Sequence, residues 1–521
     1  MRAEFLILPL ALAVAGRLAA DAYPRQQSVR PEHYRFRIAL RDDSNEISAE
    51  TTVRMRFLVS GPGSFRLDLA DTMTVEGVSG AATFRHSGGR IELEPAAPVV
   101  AGDVREFSVR YHGLPAPGLF IGRNRHGGRA FFGLNWPDRA RTWLAVIDHP
   151  SAKATCEFLV TAPSRYQVVA NGLPVEQREL RGGVRESHWS ESVPIAPWLY
   201  TIGVAEFARR DLGQTSGVPL QTWVFPEDRE PGNSTLDGPL RRSVAFFSDY
   251  IGPFPYQKLA GVQALGFSGG IEYASAIFFS DGEISGKPAD ALVAHEVAHQ
   301  WFGDSVTETD WDDVWLSEGF ATYFALLYRE HYEGRDGFLE GLRHSRGIVH
   351  DQEARLPDTA VLHTGLSDMS RVLNRLVYEK GAWVLQMLRA HLGDQRFHAG
   401  IREYYRRYRD SNASTADFRR IMEEISGEDL AWFFRQWLTR PGTPKLAGSW
   451  RYDAAGGMVE LDLEQQQEGP AYRLEFYPGP ARLTMTGRRQ HFSWPVAEDP
   501  GTLDLDPGVQ CLPEVQLARI R

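Results

Sequence analysis

The residues best suited to chemistry are two histidines and a glutamate in the segment HEVAH, residues 295–299. If this segment is helical, His295 and His299 are four residues apart and lie on one face of the helix. Two imidazoles on one face can bind a single metal ion at about 2.0–2.1 Å. Glu296 is one step round the helix, where its carboxylate can hold a water molecule and act as a general base. The spacing therefore predicts a zinc site with a glutamate base.

A hydrolytic zinc site requires a third protein ligand and an open fourth position for water. Glu318 follows His299 by nineteen residues, in the segment WLSEGFATYF. The residues between them include several aspartates and are predicted to form a loop, so that Glu318 would lie on the next helix. The sequence has no third histidine at short spacing, which disfavours the other common arrangement of this motif. We therefore predict one zinc ion bound by His295, His299 and Glu318.

The elements that would carry these residues change along the chain. Residues 23–207 alternate polar and apolar side chains between Gly, Pro and Asn turns, which predicts a β-rich domain. Residues 208–440 have helical spacing, with Pro288 placed to begin the histidine-bearing helix and Ser414 available as a cap. After a linker that contains Pro and Gly, residues 445–521 alternate again, which predicts a small β-sandwich. The predicted fold class is multidomain α+β.

The composition excludes some classes of function. The chain has 521 residues and a formal net charge of -10, and an acidic balance argues against a nucleic acid partner. Only two cysteines occur, Cys156 and Cys511, so a disulfide framework is excluded, and whether these two pair is left open. No cysteine-based zinc site can be built from them.

Residues 1–22 have the pattern of a secretory signal peptide. Arg2 precedes an apolar run over residues 5–16, and small residues follow it. The run is shorter than the roughly 20 apolar residues that span a bilayer, and no later stretch resembles a transmembrane segment. We therefore expect a secreted or periplasmic protein without an integral membrane segment.

Five segments of the chain resemble the aminopeptidase N family of zinc peptidases, which includes leukotriene A hydrolase. They are HEVAHQWFG with WLSEGFATYF, GGIEY, YEKGAWVLQML, NWPDRARTWLAVIDHPSAKATCEFLVTAP, and DLAWFFRQWLTRPGTP. The resemblance covers nearly the whole chain after the predicted signal peptide. It implies a saddle-like N-terminal β-domain, a thermolysin-like catalytic domain and a small C-terminal β-sandwich.

The resemblance also implies roles for residues outside the zinc site. Glu272 would bind the free α-amino group of a peptide, and Gly269 and Gly270 would let the substrate backbone lie close as an added strand. Tyr378 would donate a hydrogen bond to the oxyanion of the tetrahedral intermediate. The expected partners are therefore peptides with a free N-terminal amine, and the oligomeric state is left open.

The chain departs from the family pattern near the proposed substrate site. Ile271 and Tyr273 stand where the family usually has Met and Asn, and Ile271 would line the first substrate pocket. Members often supply a Gln or Glu from the N-terminal domain to bind the substrate amine. Here Asn135, in GLNWPD, is the nearest candidate for that contact.

Three other functions fit parts of this pattern. An endopeptidase would use the same zinc chemistry, but GGIEY argues against it. An epoxide hydrolase would need a lipid-shaped tunnel, which a sequence does not show. An inactive peptide-binding protein should lack a zinc ligand, Glu296 or Tyr378, and all are present. The pattern favours hydrolysis of an N-terminal peptide bond by zinc-activated water, with Glu296 as the general base.

Overall fold

The computed structural model describes residues 21–520. Its N-terminal part is built mainly of β-strands. They are β1 (Val29–Ala39), β2 (Ile47–Phe57), β3 (Phe65–Asp68), β4 (Met73–Ser79), β5 (Ala81–Ser87), β6 (Arg90–Pro95), β7 (Val104–Gly113), β8 (Leu119–Arg123), β9 (Arg129–Gly133), β10 (Ala154–Pro163), β11 (Gln167–Ala170), β12 (Leu173–Leu180), β13 (Val184–Ile195) and β14 (Ile202–Ala205). Seven of them form one sheet in the order β12-β13-β10-β1-β2-β7-β4. The sheets β11-β14-β9-β8 and β3-β6-β5 complete this part.

Alternating side chains explain why these strands pack on one face. In β2, every second residue is buried and the residues between them are at least partly exposed. Strand β2 is antiparallel to β1, and β1 is parallel to β10. The buried side chains of β1 and β2 therefore join one hydrophobic core.

The middle of the chain begins with a second sheet and continues as helices. The strands are β15 (Ala208–Thr215), β16 (Val218–Val224), β17 (Leu259–Ala264), β18 (Gly270–Ile271), β19 (Ala276–Ser280), β20 (Val306–Glu308) and β21 (Ser411–Ala413). The helices are α1 (Arg229–Tyr250), α2 (Asp290–His299), α3 (Trp315–Arg355), α4 (Gly381–Leu392), α5 (Asp394–Tyr408), α6 (Thr415–Ser426) and α7 (Ala431–Thr439). A π-helical turn, Leu376–Lys380, precedes α4. The first five strands form a sheet in the order β15-β16-β17-β19-β18, and β20 pairs with β21.

Short 3-10 turns and the C-terminal strands complete the structure. The turns are Ala140–Thr142, Pro197–Leu199, Pro226–Asp228, Asp281–Glu283, Trp311–Asp313 and Met369–Arg371. The strands are β22 (Leu446–Asp453), β23 (Met458–Gln465), β24 (Leu474–Phe476), β25 (Leu483–Met485), β26 (Arg489–Pro495) and β27 (Val515–Arg519). They form the four-stranded sheet β26-β23-β22-β27 and the pair β24-β25.

The predicted fold class is confirmed, with a β-rich N-terminal part, a mainly helical middle and C-terminal sheets. The histidine-bearing helix begins at Asp290, two residues after Pro288. Ser414 caps α6 in a capping box with Asp417, as its position predicted. The domain boundaries stay a prediction, and residues 1–20 of the predicted signal peptide lie outside the described residues.

Two further findings bear on predictions made from composition. Cys156 and Cys511 are both buried and are not bonded to each other. No helix in the described part of the chain combines the length and the apolar character needed to cross a membrane.

A partly buried lysine joins the N-terminal part to the helical part near the predicted zinc site. Lys153 donates hydrogen bonds to the backbone carbonyls of Asp304 at 3.0 Å, Ser305 at 2.7 Å and Ser411 at 3.2 Å. Burial lowers the pKa of this amine to about 7. Asp304 and Ser305 lie in the loop that follows α2, which ends at His299, so the lysine fixes the loop that leaves the histidine-bearing helix.

Replacing Lys153 with methionine should lower the melting temperature of the protein. The carbonyls of Asp304 and Ser305 keep other donors, Thr307 Oγ1 and the backbone N–H of Ser411. The expected cost is therefore that of the lost hydrogen bonds, roughly 0.5–1.5 kcal/mol each, which together should exceed the effect of a surface change. Differential scanning fluorimetry measures the shift, with Lys287→Met as the matched control because Lys287 is exposed. A melting temperature equal to that of the control would show that Lys153 does not hold the two parts together.

Candidate active site

Three side chains with metal-binding atoms meet between α2 and α3. His295 and His299 come from successive turns of α2, and Glu318 lies in the first turn of α3. The two Nε2 atoms are 3.1 Å apart, and they lie 3.5 and 3.3 Å from Glu318 Oε2. A tetrahedral ion with bonds of about 2.0–2.1 Å holds its ligand atoms about 3.3–3.4 Å apart. The three atoms therefore have the separations that a zinc ion requires.

The ring of His299 is held so that Nε2 faces this site. Its Nδ1 lies 3.2 Å from the carbonyl oxygen of Phe302 and 3.0 Å from Ser317 Oγ. Because a carbonyl only accepts, Nδ1 carries the proton and Nε2 keeps its lone pair for a metal. Gly303 has a φ of 112°, and a Cβ there would lie 2.3 Å from Ser317 Oγ. Ser317 and Gly303 were not predicted from the sequence.

Glu318 uses its two carboxylate oxygens differently. Oε1 accepts a hydrogen bond of 2.9 Å from Tyr378 Oη. Oε2 faces the histidines and has no hydrogen-bond partner among residues 21–520. Burial alone would raise the pKa of this carboxyl, but the interactions with His295 and His299 outweigh it and lower the pKa to about 2. Glu318 is thus an anion with a buried oxygen that a cation would satisfy.

Tyr378 lies on the π-helical turn before α4, a type of turn that is frequent at functional sites. Its ring stacks on His295, with ring centroids 6.1 Å apart and an interplanar angle of 17°. Burial and the negative charge of Glu318 raise the pKa of the phenol well above its ordinary value. The hydroxyl therefore keeps its proton and can act as a hydrogen-bond donor.

Glu272 and Glu296 form a pair of buried carboxylates beside His299. One polar atom from each of these three side chains lies within 4.8 Å of the others. In the described part of the chain, Glu272 Oε1 and Glu296 Oε2 have no hydrogen-bond partner. Burial raises the pKa of both carboxyls, and the neighbouring Glu272 raises that of Glu296 further. The site thus contains unused acceptors that can bind a cation or take up a proton.

The glycines of GGIEY shape the short strand that leads directly to Glu272. Gly269 has a φ of 80°, which favours glycine, and a Cβ at Gly270 would lie 2.5 Å from the side chain of Glu296. Gly270 and the buried Ile271 form β18, which pairs with β19 and lies at the edge of its sheet. The outer side of β18 can therefore accept an added strand.

Gln300 holds the same segment and was not predicted from the sequence. Its side-chain Nε2 donates to the carbonyl of Glu272 at 2.9 Å and to Asp304 Oδ2 at 2.7 Å. Its Oε1 accepts a hydrogen bond of 2.8 Å from the backbone N–H of Ser275. Because Gln300 follows His299 directly, one end of α2 fixes both a metal-binding side chain and the backbone of Glu272. Its position after HEVAH was the signal available in the sequence.

The amine contact of Asn135 stays a prediction, and the structure gives its side chain other partners. Its amide nitrogen donates to the carbonyls of Tyr200 and Pro197, and its amide oxygen accepts from the indole of Trp143. These hydrogen bonds engage both donors of the buried amide and one of the two acceptor positions of its oxygen. Tyr273 is also buried, and its hydroxyl accepts from the backbone N–H of Asn135 at 3.0 Å. Asn135 and Tyr273 therefore join the two parts of the protein, which the sequence pattern alone does not reveal.

Two protein-family models match parts of the chain that contain the residues described above. The family model described as "Peptidase family M1 domain" matches residues 242–437, and "Peptidase M1 N-terminal domain" matches residues 129–199. Together the two models cover about half of the chain. The first range includes α2, Glu318 and Tyr378, and the second includes Asn135.

Relatives and solved structures agree with these matches. The chain is 28% identical to "Probable aminopeptidase 2" of Sulfurisphaera tokodaii, over 67% of this chain and 46% of the relative. It is 29% identical to glutamyl aminopeptidase of Sus scrofa, over 60% of this chain and 34% of the relative. It thus spans less than half the length of these curated relatives.

The crystal structure of a glutamate-to-alanine mutant of the M1 zinc metallopeptidase from Deinococcus radiodurans is also similar. It matches with a TM-score of 0.68 and 25% identity, over 80% of this chain and 96% of that one. The same mutant has been solved bound to a Tyr-Ser-Ala substrate, with the same TM-score and identity. The chain belongs to the aminopeptidase N family of M1 zinc metallopeptidases.

Proposed function

We propose that this protein is a zinc-dependent aminopeptidase that hydrolyses the N-terminal peptide bond of peptides. The observation that carries the proposal is the position of Glu272. It is a buried carboxylate with an unused oxygen, and it directly follows the edge strand β18 beside the cluster that would hold zinc. A peptide added to β18 would bring its terminal ammonium to Glu272 and its first peptide bond to the cluster.

One zinc ion would be held by His295, His299 and Glu318. When bound, zinc supplies Lewis-acid polarisation of the scissile carbonyl and lowers the pKa of a water molecule toward about 7. The unused oxygen of Glu296 would take a proton from the attacking water and pass it to the leaving amine. A raised pKa suits this role, because the base must both accept and release the proton.

Tyr378 would stabilise the oxyanion that forms during the attack. Its hydroxyl now donates to Glu318 Oε1, which places the phenol beside the predicted metal ligands. Because its pKa is raised, it can donate a hydrogen bond to the developing negative charge without losing its proton.

Glu272 would select peptides with a free amine and set the point of cleavage. In the described part of the chain, Oε1 of its side chain has no hydrogen-bond partner. Gln300 binds the backbone carbonyl of Glu272 and leaves this carboxylate oxygen available. An ammonium group would neutralise this buried carboxylate, whereas a blocked N-terminus would leave it unpaired. This asymmetry favours exopeptidase action over endopeptidase action.

The Glu272→Ala variant tests this proposal. We expect its kcat/KM for an aminoacyl anilide to fall by about 10²-fold or more, since losing a buried charge partner costs roughly 3–5 kcal/mol. Hydrolysis of the N-acetylated anilide, already slow, should not change. Glu227→Ala is the matched control because Glu227 is exposed. Equal losses for free and blocked substrates would remove Glu272 from the amine site.

We also propose that the protein is secreted or periplasmic, with an N-terminal signal peptide. Asp21 is buried, and its carboxylate lies 2.9 Å from His149 Nε2 and accepts from the backbone N–H of Trp311 at 3.1 Å. These contacts favour removal of the signal peptide before Asp21 rather than after Ala22, where the sequence pattern placed the boundary. Intact-mass measurement of the exported protein tests this, and a mature chain beginning at Tyr23 would contradict it.

A further inference from the structure

A pocket of about 760 Å³ lies in the N-terminal part, away from the residues of the candidate active site. Four of the side chains in its lining are arginines, and we name it the arginine pocket after Arg25, Arg66, Arg85 and Arg90. Glu92 is the one acidic residue among the described residues that line it. Because the whole chain has a net charge of -10, this local excess of positive charge runs against the overall balance.

The acidic residue of the pocket is already fully engaged. Glu92 Oε2 accepts a hydrogen bond of 3.0 Å from Arg85, and Glu92 Oε1 accepts one of 3.0 Å from Ser64 Oγ. Both of its oxygens thus have partners within the pocket wall. Glu92 pairs with one arginine, and the other three have no acidic partner within the pocket lining.

Two of these three arginines have carboxylates next to the pocket. Arg25 forms an ion pair with Asp310, in the loop that leads to α3. Arg90 Nε lies 3.9 Å from Asp68 Oδ1, which is beyond hydrogen-bond distance. Arg90 therefore keeps its hydrogen-bonding capacity for another acceptor.

Arg66 has no acidic partner. Its Nε and Nη2 atoms have no exposed surface and no hydrogen-bond acceptor among residues 21–520. The guanidinium carbon of Arg66 lies over the ring of Tyr23, 5.9 Å from the ring centroid, at cation–π distance. Arginine stays protonated in proteins, so the guanidinium of Arg66 keeps its positive charge although it is partly desolvated. An anion in the pocket would supply the missing charge.

The backbone that presents Arg66 is fixed in advance. The side-chain amide of Gln26 accepts a hydrogen bond of 2.7 Å from the backbone N–H of Arg66 and donates one of 2.8 Å to its carbonyl. Gln26 therefore attaches the N-terminal segment to the edge of β3, and both walls of the pocket are held in place. A preformed site loses little conformational entropy on binding.

We propose that the arginine pocket binds a phosphate or sulfate group. The planar guanidinium forms paired hydrogen bonds with such tetrahedral oxyanions, and charge-assisted bonds of this kind are about twice as strong as neutral ones. Ser28 and Ser87 also line the pocket and add hydroxyl donors. The volume is larger than one such group needs, so the natural ligand carries the oxyanion on a larger body.

Isothermal titration calorimetry of the zinc-loaded protein tests the proposal, with inorganic phosphate in one arm and sulfate in the other. Sodium chloride at matched ionic strength is the blank. We expect saturable binding of at least one anion, and we expect Arg66→Gln to weaken it by about tenfold or more. Arg85→Gln should also weaken binding, because it removes one charge and frees Glu92 to repel the anion.

Arg105→Gln is the matched control, because Arg105 is an exposed arginine of β7, in the seven-stranded sheet, and pairs with Asp103 outside the pocket. This variant should bind as the unchanged protein does. An anion bound at the zinc centre would bind equally to all four proteins. Absence of saturable binding, or equal affinity in both pocket variants and the control, would overturn the proposal; the arm that titrates identifies the oxyanion.

Discussion

The Glu296→Gln variant is expected to retain zinc while its turnover of aminoacyl anilides falls by about 10²–10⁴-fold, the usual contribution of a general base. Glutamine preserves the shape of the side chain, and Glu296 has an oxygen with no hydrogen-bond partner in the described part of the chain, so folding should not suffer. The metal should stay because Glu296 is not one of the three converging groups, whose atoms lie 3.1 to 3.5 Å apart.

Zinc content by elemental analysis and steady-state kinetics together measure this prediction. Glu227→Gln is the matched control, because it makes the same chemical change at an exposed position. A variant that keeps zinc and near-normal turnover would contradict the role of Glu296 as the base. Loss of zinc in this variant would instead place Glu296 among the ligands.

The Tyr378→Phe variant is expected to lose about 10²–10³-fold in kcat, because the deleted hydroxyl would be a donor to the oxyanion. KM and zinc content should change little, since the aromatic ring can keep its stacking on His295. Glu318 loses one hydrogen bond in this variant but keeps the oxygen that faces the histidines. The prediction separates stabilisation of the transition state from binding of the metal.

Steady-state kinetics and zinc analysis of Tyr378→Phe check this expectation. Tyr332→Phe is the matched control, because Tyr332 is exposed and its hydroxyl contacts only a backbone carbonyl. A rise in KM with unchanged kcat would move Tyr378 from the oxyanion to ground-state binding. Loss of zinc would make it a support for Glu318.

Local spacing was sufficient to predict the parts of the site that lie on helices. The four-residue interval between His295 and His299 fixes their common face, and the pattern after the loop places Glu318 on the next helix. The structure brings these three side chains together. The roles of Tyr378 and Glu272 needed the family resemblance, because nothing in their own neighbourhood distinguishes them from packed or surface residues.

Contacts between distant segments could not be predicted in this way. Asn135 stood at a suggestive place in the sequence, yet its amide is used by Trp143 and by carbonyls beyond residue 196. Gln300 and Ser317 support the site through hydrogen bonds to residues that only the fold brings near. The arginine pocket likewise combines the N-terminal segment with strands of a separate sheet. Such contacts depend on tertiary packing, and the periodic pattern of polar and apolar residues within one segment does not predict them.

The most direct test of the account is a panel of aminoacyl anilides, with matched N-acetylated anilides, assayed before chelation, after chelation and after zinc is restored. We predict release from the free-amine substrates that a chelator abolishes and zinc restores, with little release from the blocked ones. Release confined to blocked substrates, or none from any substrate while zinc is bound, would contradict the assignment of this protein as a zinc aminopeptidase.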